Sequence, residues 1–283
     1  MNADPEWHSY DLTDDHTVVG DVLVSEELDP DSPKLPARRV SAYLPPSYRG
    51  SDADYPVLYM HDGQNLFDER TSNDGEWRVD ETMQRLSEEG IEVIVVAVPH
   101  GTDNRRNEYT PHEHEKFGGG DADAYLDFLV SELKPAIDRE FRTRTDRDST
   151  GLMGSSLGGL VSLYGYFEQA QTFGFAGVMS PAFWWNREIF DYVDARTYFS
   201  GKLYFDVGGD ERPDDPERTR EYVEDAERMV ELLREKRLRR GRTPLRRRRR
   251  GGSPRGRVGR QTARRASVPA ERPVTEFRFR APG

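Results

Sequence analysis

The segment from Thr150 to Leu160 most constrains the fold of this chain, because it joins an apolar run to a helix-like run through a glycine-rich turn. The turn contains Gly154, Ser156 and Gly158 in the spacing G-x-S-x-G. Between a strand and a helix, such glycines permit a sharp, strained turn that exposes the serine hydroxyl at the helix N-terminus. An adjacent backbone N–H can stabilise a developing oxyanion there. We therefore interpret Ser156 as a candidate nucleophile; a glycine-rich turn without chemistry is the alternative from the pentapeptide alone.

Short apolar runs alternate with helix-like segments along most of the chain. The predicted strands cover residues 17–25, 38–44, 55–60, 91–98, 173–179 and 203–207, and the predicted helices cover 77–86, 122–141, 157–167 and 216–236. The first two strands flank a Pro-rich turn, which indicates a hairpin-like opening. The later alternation is typical of an α/β fold whose mostly parallel sheet has helices on both faces. In such sheets the chemistry lies at the carboxyl ends of the strands.

Composition excludes several classes of site. The chain has no cysteine, so disulfides, thiolate metal sites and cysteine nucleophiles are ruled out. Its beginning is acidic and lacks the pattern of a secretion signal, and no apolar run approaches the ~20 residues that span a bilayer. We therefore expect a soluble, cytoplasmic protein with no membrane partner.

Charge divides the chain into two unlike parts. Residues 236–283 contain 18 Lys and Arg residues and 2 Asp and Glu residues. Residues 1–235 contain 23 Lys and Arg residues and 50 Asp and Glu residues. An acidic surface of this density argues against nucleic acid as a partner of the body. It is also the kind of surface expected of a halophile-like protein that stays soluble in high salt.

An activated serine needs a base, a group that orients the base, and donors for the oxyanion. The turn after the strand at 203–207 contains Asp210 and Glu211, which follow Ser156 in the hydrolase order of serine and then acid. The earlier turn at 62–65 is placed to lend an oxyanion donor. Either turn is equally compatible with a plain solvated loop. His112 and His114 are more typical of a solvated loop than of a metal site, and we expect neither a metal nor a cofactor.

Four motifs in order resemble the putative esterase family of α/β-hydrolases, which includes esterase D, feruloyl and acetyl-xylan esterases, siderophore esterases and mycolyltransferases. The motifs cover residues 59–68 (YMHDGQNLFD), 108–111 (EYTP), 154–160 (GSSLGGL) and 180–185 (SPAFWW). The resemblance runs from about Val40 to Glu235. It implies an α/β-hydrolase fold and hydrolysis of a small-molecule carboxylic ester through an acyl-enzyme.

The resemblance also implies site residues. Ser156 is the nucleophile, and the backbone N–H groups of Gln64 and Leu157 form the oxyanion hole. Glu211 is the acid, with Asp210 in reserve. The tryptophans at 77, 184 and 185 are expected to pack near the site, with stacking on an aromatic acyl group as the less favoured reading.

The base that the family places after the acid is missing from this chain. All six histidines precede Ser156: His8, His16, His61, His100, His112 and His114. His61 lies beside the oxyanion turn, on the wrong element for a base. Losing one triad member typically lowers activity by about 10⁴-fold, so we expect impaired activity.

The C-terminal segment of the sequence suggests why the histidine base is missing. From Arg237 onward the sequence loses its apolar periodicity and includes five consecutive arginines, Arg246–Arg250. A shifted reading frame turns acidic codons of a GC-rich gene into arginine codons, and the shifted codons from Gly251 permit Gly-Gly-His. We therefore predict a hydrolase domain over residues 1–236 and a frame-shifted or disordered tail over residues 237–283. The closing strand and helix of the fold are then expected to be missing. Two alternatives stay open: an acyltransferase of the same fold, or a non-catalytic fold with a basic nucleic-acid-binding arm.

Overall fold

The computed structural model describes residues 5–12, 15–73, 75–197, 200–208 and 214–241, with side chains up to 237. An eight-stranded sheet organises this part of the chain, in the order β1-β2-β3-β5-β4-β8-β9-β10. The strands are β1 Trp7–Ser9, β2 Asp21–Ser25, β3 Ser41–Leu44, β4 Val57–His61, β5 Ile94–Val98, β8 Thr150–Ser155, β9 Phe175–Met179 and β10 Lys202–Asp206.

Two modes of pairing divide the sheet. Strands β1, β2, β3 and β5 pair antiparallel, which confirms the predicted hairpin-like opening of β2 and β3. From β5 onward the pairs β5–β4, β4–β8, β8–β9 and β9–β10 are all parallel. The mostly parallel sheet is therefore confirmed, and the carboxyl ends of β4, β8, β9 and β10 lie along one edge.

Helices cover both faces of this sheet, as predicted. The helices are α1 Val79–Glu88, α2 Arg105–Tyr109, α3 Ala122–Phe128, α4 Lys134–Glu140, α5 Leu157–Glu168, α6 Glu188–Ala195 and α7 Pro216–Gly241. Alternate residues of β5 enter two separate cores: Val95 and Ala97 pack with α1, whereas Ile94, Val96 and Val98 pack with α3 and α5. Strand side chains point to opposite faces in turn, so β5 must be apolar throughout.

The helix expected over residues 122–141 is interrupted in its hydrogen bonding. A π-helical segment, Leu129–Leu133, joins α3 to α4 without a loop. Leu129 and Leu133 are both fully buried, so the wider π turn keeps the apolar side of the helix against the sheet.

Some elements were not expected from the sequence. Residues 99–120, which no predicted strand or helix covers, contain helix α2 and a small hairpin of β6 Glu113–His114 and β7 Gly118–Gly119. Helix α7 continues past the predicted Lys236 to Gly241. Within the described residues, no helix combines the length and apolar character needed to cross a bilayer. The predicted missing strand and helix concern residues beyond 241, which lie outside the described part.

Candidate active site

Ser156 lies at the junction of β8 and α5 in a strained backbone conformation. Its φ of 57° and ψ of −120° fall in a region that residues with side chains rarely adopt. Three backbone hydrogen bonds hold it there: Ser156 N–H donates to Met179 O at 3.0 Å, and Ser156 O accepts from Ala182 N–H at 3.0 Å and Leu160 N–H at 3.1 Å. The side chain is partly exposed. The G-x-S-x-G segment therefore forms the strand-turn-helix geometry that the sequence predicts.

The glycines around Ser156 are required by close packing. A Cβ on Gly154 would lie 2.8 Å from the carbonyl carbon of Gly158 and 2.9 Å from Cδ2 of His61. A Cβ on Gly159 would lie 2.8 Å from the carbonyl oxygen of Met179. Real Cβ atoms do not approach so closely, so the tight turn depends on these glycines.

Gln64 and Leu157 lie on elements that the sheet brings together. Gln64 is in a 3₁₀ turn, Gly63–Asn65, which directly follows β4, and Leu157 begins α5 directly after Ser156. Strands β4 and β8 are parallel neighbours, with Met60 paired to Met153. Both turns therefore occur at the same edge of the sheet. Within the described part of the chain, the buried side-chain amide atoms of Gln64 have no hydrogen-bond partner.

Asp210 and Glu211 lie outside the described residues, so their role stays a prediction. The strand that leads to them is described. Strand β10 pairs in parallel with β9, and Asp206 O at its carboxyl end accepts from Ser180 N–H at 2.7 Å. Since Ala182, two residues further, donates to Ser156 O, β10 ends at the same edge of the sheet as the serine turn.

His61 faces the core behind the serine turn. Its Nδ1 lies 2.9 Å from Oη of Tyr125, and its ring packs against the rings of Tyr109 and Tyr125 at 5.4 and 5.5 Å. Burial lowers the pKa of His61 to about 4. The charge of Asp62 opposes this shift, and the charge of Arg105 adds to it. A neutral, enclosed imidazole of this kind is a packing and hydrogen-bonding group.

The other histidines near the sheet edge have different surroundings. Burial lowers the pKa of His100, which is half-buried after β5. His114 accepts a hydrogen bond from Lys116 N–H through Nδ1 at 3.1 Å and packs on Phe117. Among the described residues, the groupings of three side chains that could hold a metal ion include neither His112 nor His114.

Asp62 is anchored by helix α2, a contact that the sequence did not reveal. Arg105 Nε and Nη2 donate to the two carboxylate oxygens of Asp62 at 2.6 and 2.8 Å. The backbone N–H of Asp62 donates to Tyr109 Oη at 3.0 Å. Glu108, one residue before Tyr109, is fully buried against Arg38, with oxygens 2.6 and 3.1 Å from the guanidinium. The motif Glu-Tyr-Thr-Pro was the only sequence signal that marked this helix.

Two tryptophans follow β9 beside the serine turn, as expected. Trp184 lies under the guanidinium of Arg218 at 4.1 Å, and Trp185 packs against Phe117 at 5.0 Å. Trp77 precedes α1, and its backbone N–H donates to Asn65 O at 2.8 Å, next to the Gln64 turn. All three are partly exposed.

Comparison with known proteins agrees with this geometry. The model of the family described as Putative esterase matches residues 36–242, well over half of the chain. An uncharacterized protein of Bacillus subtilis, YbbA, is 25% identical over 70% of this chain and 79% of its own length. A siderophore triacetylfusarinine C esterase of Aspergillus fumigatus is 31% identical over 46% of this chain, but the match spans only 45% of that protein.

Solved structures share the fold. The siderophore hydrolase EstA from Aspergillus nidulans superimposes with a TM-score of 0.60 at 17% identity, covering 76% of this chain and 83% of that one. An IroE-like serine hydrolase from Shewanella oneidensis gives a TM-score of 0.51 at 23% identity, covering 64% of this chain and 60% of that one. The sheet topology, the strained serine turn and the extent of the family match agree, and the chain belongs to the Putative esterase family of α/β-hydrolase fold.

Proposed function

We propose that this chain is a serine carboxylic-ester hydrolase that acts on a small-molecule ester through an acyl-enzyme. The observation that carries the proposal is the strained backbone of Ser156, with φ at 57°, at the end of a central parallel strand in a member of an esterase family. Backbone strain of this kind is costly and persists where the surrounding structure enforces it, often at functional sites.

Ser156 attacks the carbonyl carbon of the ester, and the alcohol leaves to give an acyl-serine that water hydrolyses. The N–H groups of Gln64 and Leu157 bind the oxyanion of each tetrahedral intermediate, and each such donor contributes about 3 kcal/mol in related chemistry. The positions of the two turns at one sheet edge support this assignment.

The acid and base complete the mechanism in the proposal. In a complete triad, Glu211, with Asp210 in reserve, would orient a histidine that takes the proton of Ser156 and later delivers it to the leaving alcohol. This chain has no histidine after His114, and the imidazole of His61 is enclosed on the core side of the serine turn. Activity is therefore lowered by about 10⁴-fold or more relative to a complete triad.

The proposal includes a shifted reading frame for residues 237–283, which accounts for both the missing base and the charge reversal at Arg237. Sequencing the gene from codon 225 through the stop tests it directly. One base gained or lost near codon 237, followed by Gly-Gly-His in the corrected frame, is the expected result. An uninterrupted frame contradicts it and leaves the arginine-rich segment as part of the protein.

Hydrolysis of p-nitrophenyl acetate tests the catalytic assignment. The chain is expected to release p-nitrophenol slowly, and Ser156→Ala is expected to reduce that release to the level of buffer. Ser155→Ala, one residue earlier at the end of β8, serves as the matched control and should keep the wild-type rate. Retained hydrolysis in Ser156→Ala would show that another group performs the reaction. A wild-type rate typical of a complete esterase would show that the chain has a functioning base.

A further inference from the structure

The backbone of Asp62 takes a left-handed turn at the end of β4. Its φ is 56°, an uncommon value for a residue with a side chain. The turn redirects the chain from β4 into the 3₁₀ segment Gly63–Asn65, in which Asn65 N–H donates back to Asp62 O at 2.9 Å. The direction of the Gln64 N–H therefore depends on how Asp62 is held.

Helix α2 holds Asp62 at two points. Arg105 binds both carboxylate oxygens, at 2.6 and 2.8 Å, and Tyr109 accepts the backbone N–H at 3.0 Å. The guanidinium of Arg105 also lies 5.2 Å from the ring centre of Tyr109, so the two anchors support each other. A bidentate guanidinium–carboxylate pair fixes orientation as well as distance.

The pair is shielded from solvent. The side chain of Asp62 is 6% exposed and that of Arg105 is 27% exposed. Tyr109 is completely buried. Solvent and salt therefore screen this pair much less than a surface ion pair.

The opposite side of the turn is fixed by strand β5 and by the serine helix. A Cβ on Gly63 would lie 2.5 Å from the carbonyl carbon of Ala97, so the turn rests directly on the backbone of β5. A Cβ on Gly158 would lie 3.4 Å from Oδ2 of Asp62. The carboxylate that binds Arg105 thus lies beside the first turn of α5, next to Gly158 and two residues from Ser156.

We propose that Arg105 is a positioning residue: it holds Asp62, and through Asp62 the Gln64 N–H, in the orientation that binds the oxyanion formed at Ser156. This inference rests on the proposed function. Its consequence is selective, because an oxyanion donor acts on the tetrahedral species and much less on the bound ester. Loss of Arg105 should therefore weaken binding of a tetrahedral anion and leave binding of the neutral ester nearly unchanged.

Phenylboronic acid provides the probe. The Ser156 Oγ forms a bond to boron, the hydroxyl proton passes to solvent, and the resulting tetrahedral boronate anion occupies the position of the oxyanion intermediate. Its dissociation constant is measured by calorimetry and does not require turnover. The KM for p-nitrophenyl acetate, measured at high enzyme concentration, reports on binding of the neutral ester.

The variant Arg105→Gln is expected to weaken phenylboronic acid binding by about 10- to 100-fold, somewhat less than the ~10²–10³-fold loss seen when an oxyanion donor is removed outright. The KM should stay within about threefold of wild type. Arg105→Lys keeps the charge without the bidentate geometry, so its affinity for phenylboronic acid should lie between those of wild type and Arg105→Gln. Arg49→Gln is the matched control, because Arg49 makes the same two-pronged contact to Asp21 at an exposed position.

Unchanged boronate affinity in Arg105→Gln would overturn the inference. Equal losses in KM and boronate affinity would also overturn it, since they would show that Arg105 binds the ester directly. Tyr109→Phe removes the other anchor of Asp62 and should reproduce the selective loss if Arg105→Gln does not fold. Failure of the proposed function has a different signature: wild-type boronate binding that survives in Ser156→Ala.

Discussion

Replacing His61 by asparagine should change how stability depends on pH. The imidazole is buried among Tyr109 and Tyr125, and the charged groups facing it are Asp62 and Arg105. Burial lowers the pKa of His61 from 6.5 to about 4. Asparagine places a polar atom near the position of Nδ1 and can keep the hydrogen bond with Tyr125, but it does not titrate.

The sign and size of the effect follow from proton linkage. Between pH 6.5 and 4 the unfolded chain binds a proton at this histidine, whereas the folded protein leaves it neutral. The contribution of His61 to stability is therefore complete above pH 6.5 and is lost progressively as the pH falls towards 4. For pKa values of 6.5 and about 4, the loss between pH 7.5 and pH 4.5 is about 2–3 kcal/mol.

Urea unfolding at pH 7.5 and pH 4.5 measures this difference. The free energy of unfolding of His61→Asn should fall by about 2–3 kcal/mol less than that of the wild type over this interval, although ring removal lowers its stability at both pH values. His8→Asn, at an exposed position on β1, is the control and should follow the wild-type pH profile. Parallel profiles for wild type and His61→Asn would refute the reasoning, because they would mean that the buried imidazole titrates normally.

Three further substitutions test the packing and charges around the site. Gly63→Ala should lower the free energy of unfolding by about 3 kcal/mol, because its Cβ would lie 2.5 Å from a backbone carbon of β5. Urea unfolding measures the loss. Gly50→Ala is the control and should leave stability unchanged, since a Cβ on Gly50 would meet open space. Glu108→Gln should cost about 3–5 kcal/mol, because it leaves the buried guanidinium of Arg38 without a counter-charge; a thermal midpoint equal to wild type would contradict this. Burial raises the pKa of Asp80 to about 8, so the carboxyl opposes folding increasingly as the pH rises from about 4 to 8, and Asp80→Asn should lose less stability than wild type between pH 5 and pH 8.5.

Local patterns predicted most of the sheet and its helices. The β-branched run that became β5 is apolar on both faces, and it lies where both cores meet. The glycine spacing around Ser156 predicted its turn because the steric demand is local: the crowding at Gly154 comes from Gly158, four residues away, as well as from His61. Family motifs covered the sheet edge where these elements meet.

Long-range charge pairing was beyond reach of the sequence. Arg105 and Asp62 lie 43 positions apart, and Arg38 and Glu108 lie 70 apart. Asp62, Arg105 and Glu108 lie in polar segments without strand or helix periodicity, and Arg38 begins a predicted strand, so nothing local marks these residues as partners. Which charges are desolvated together depends on the packing of the whole sheet. Helix α2, which no predicted element covers, therefore could not be found from the sequence.

The separation of β4 from β8 has a consequence for the order of folding. Both strands pair along Val57–Met60, but β8 follows β4 in the chain by about 90 residues, so this pairing closes a long loop at high entropic cost. Strand β5 and helix α2 emerge from the ribosome earlier and can engage the Asp62 turn first. At synthesis rates of about 5–20 residues per second, Tyr109, which completes the anchoring of the Asp62 turn, is made about 2–9 s before Ser156. A nascent chain arrested before Thr150 would thus contain the anchored Asp62 turn without the strand and turn that carry Ser156.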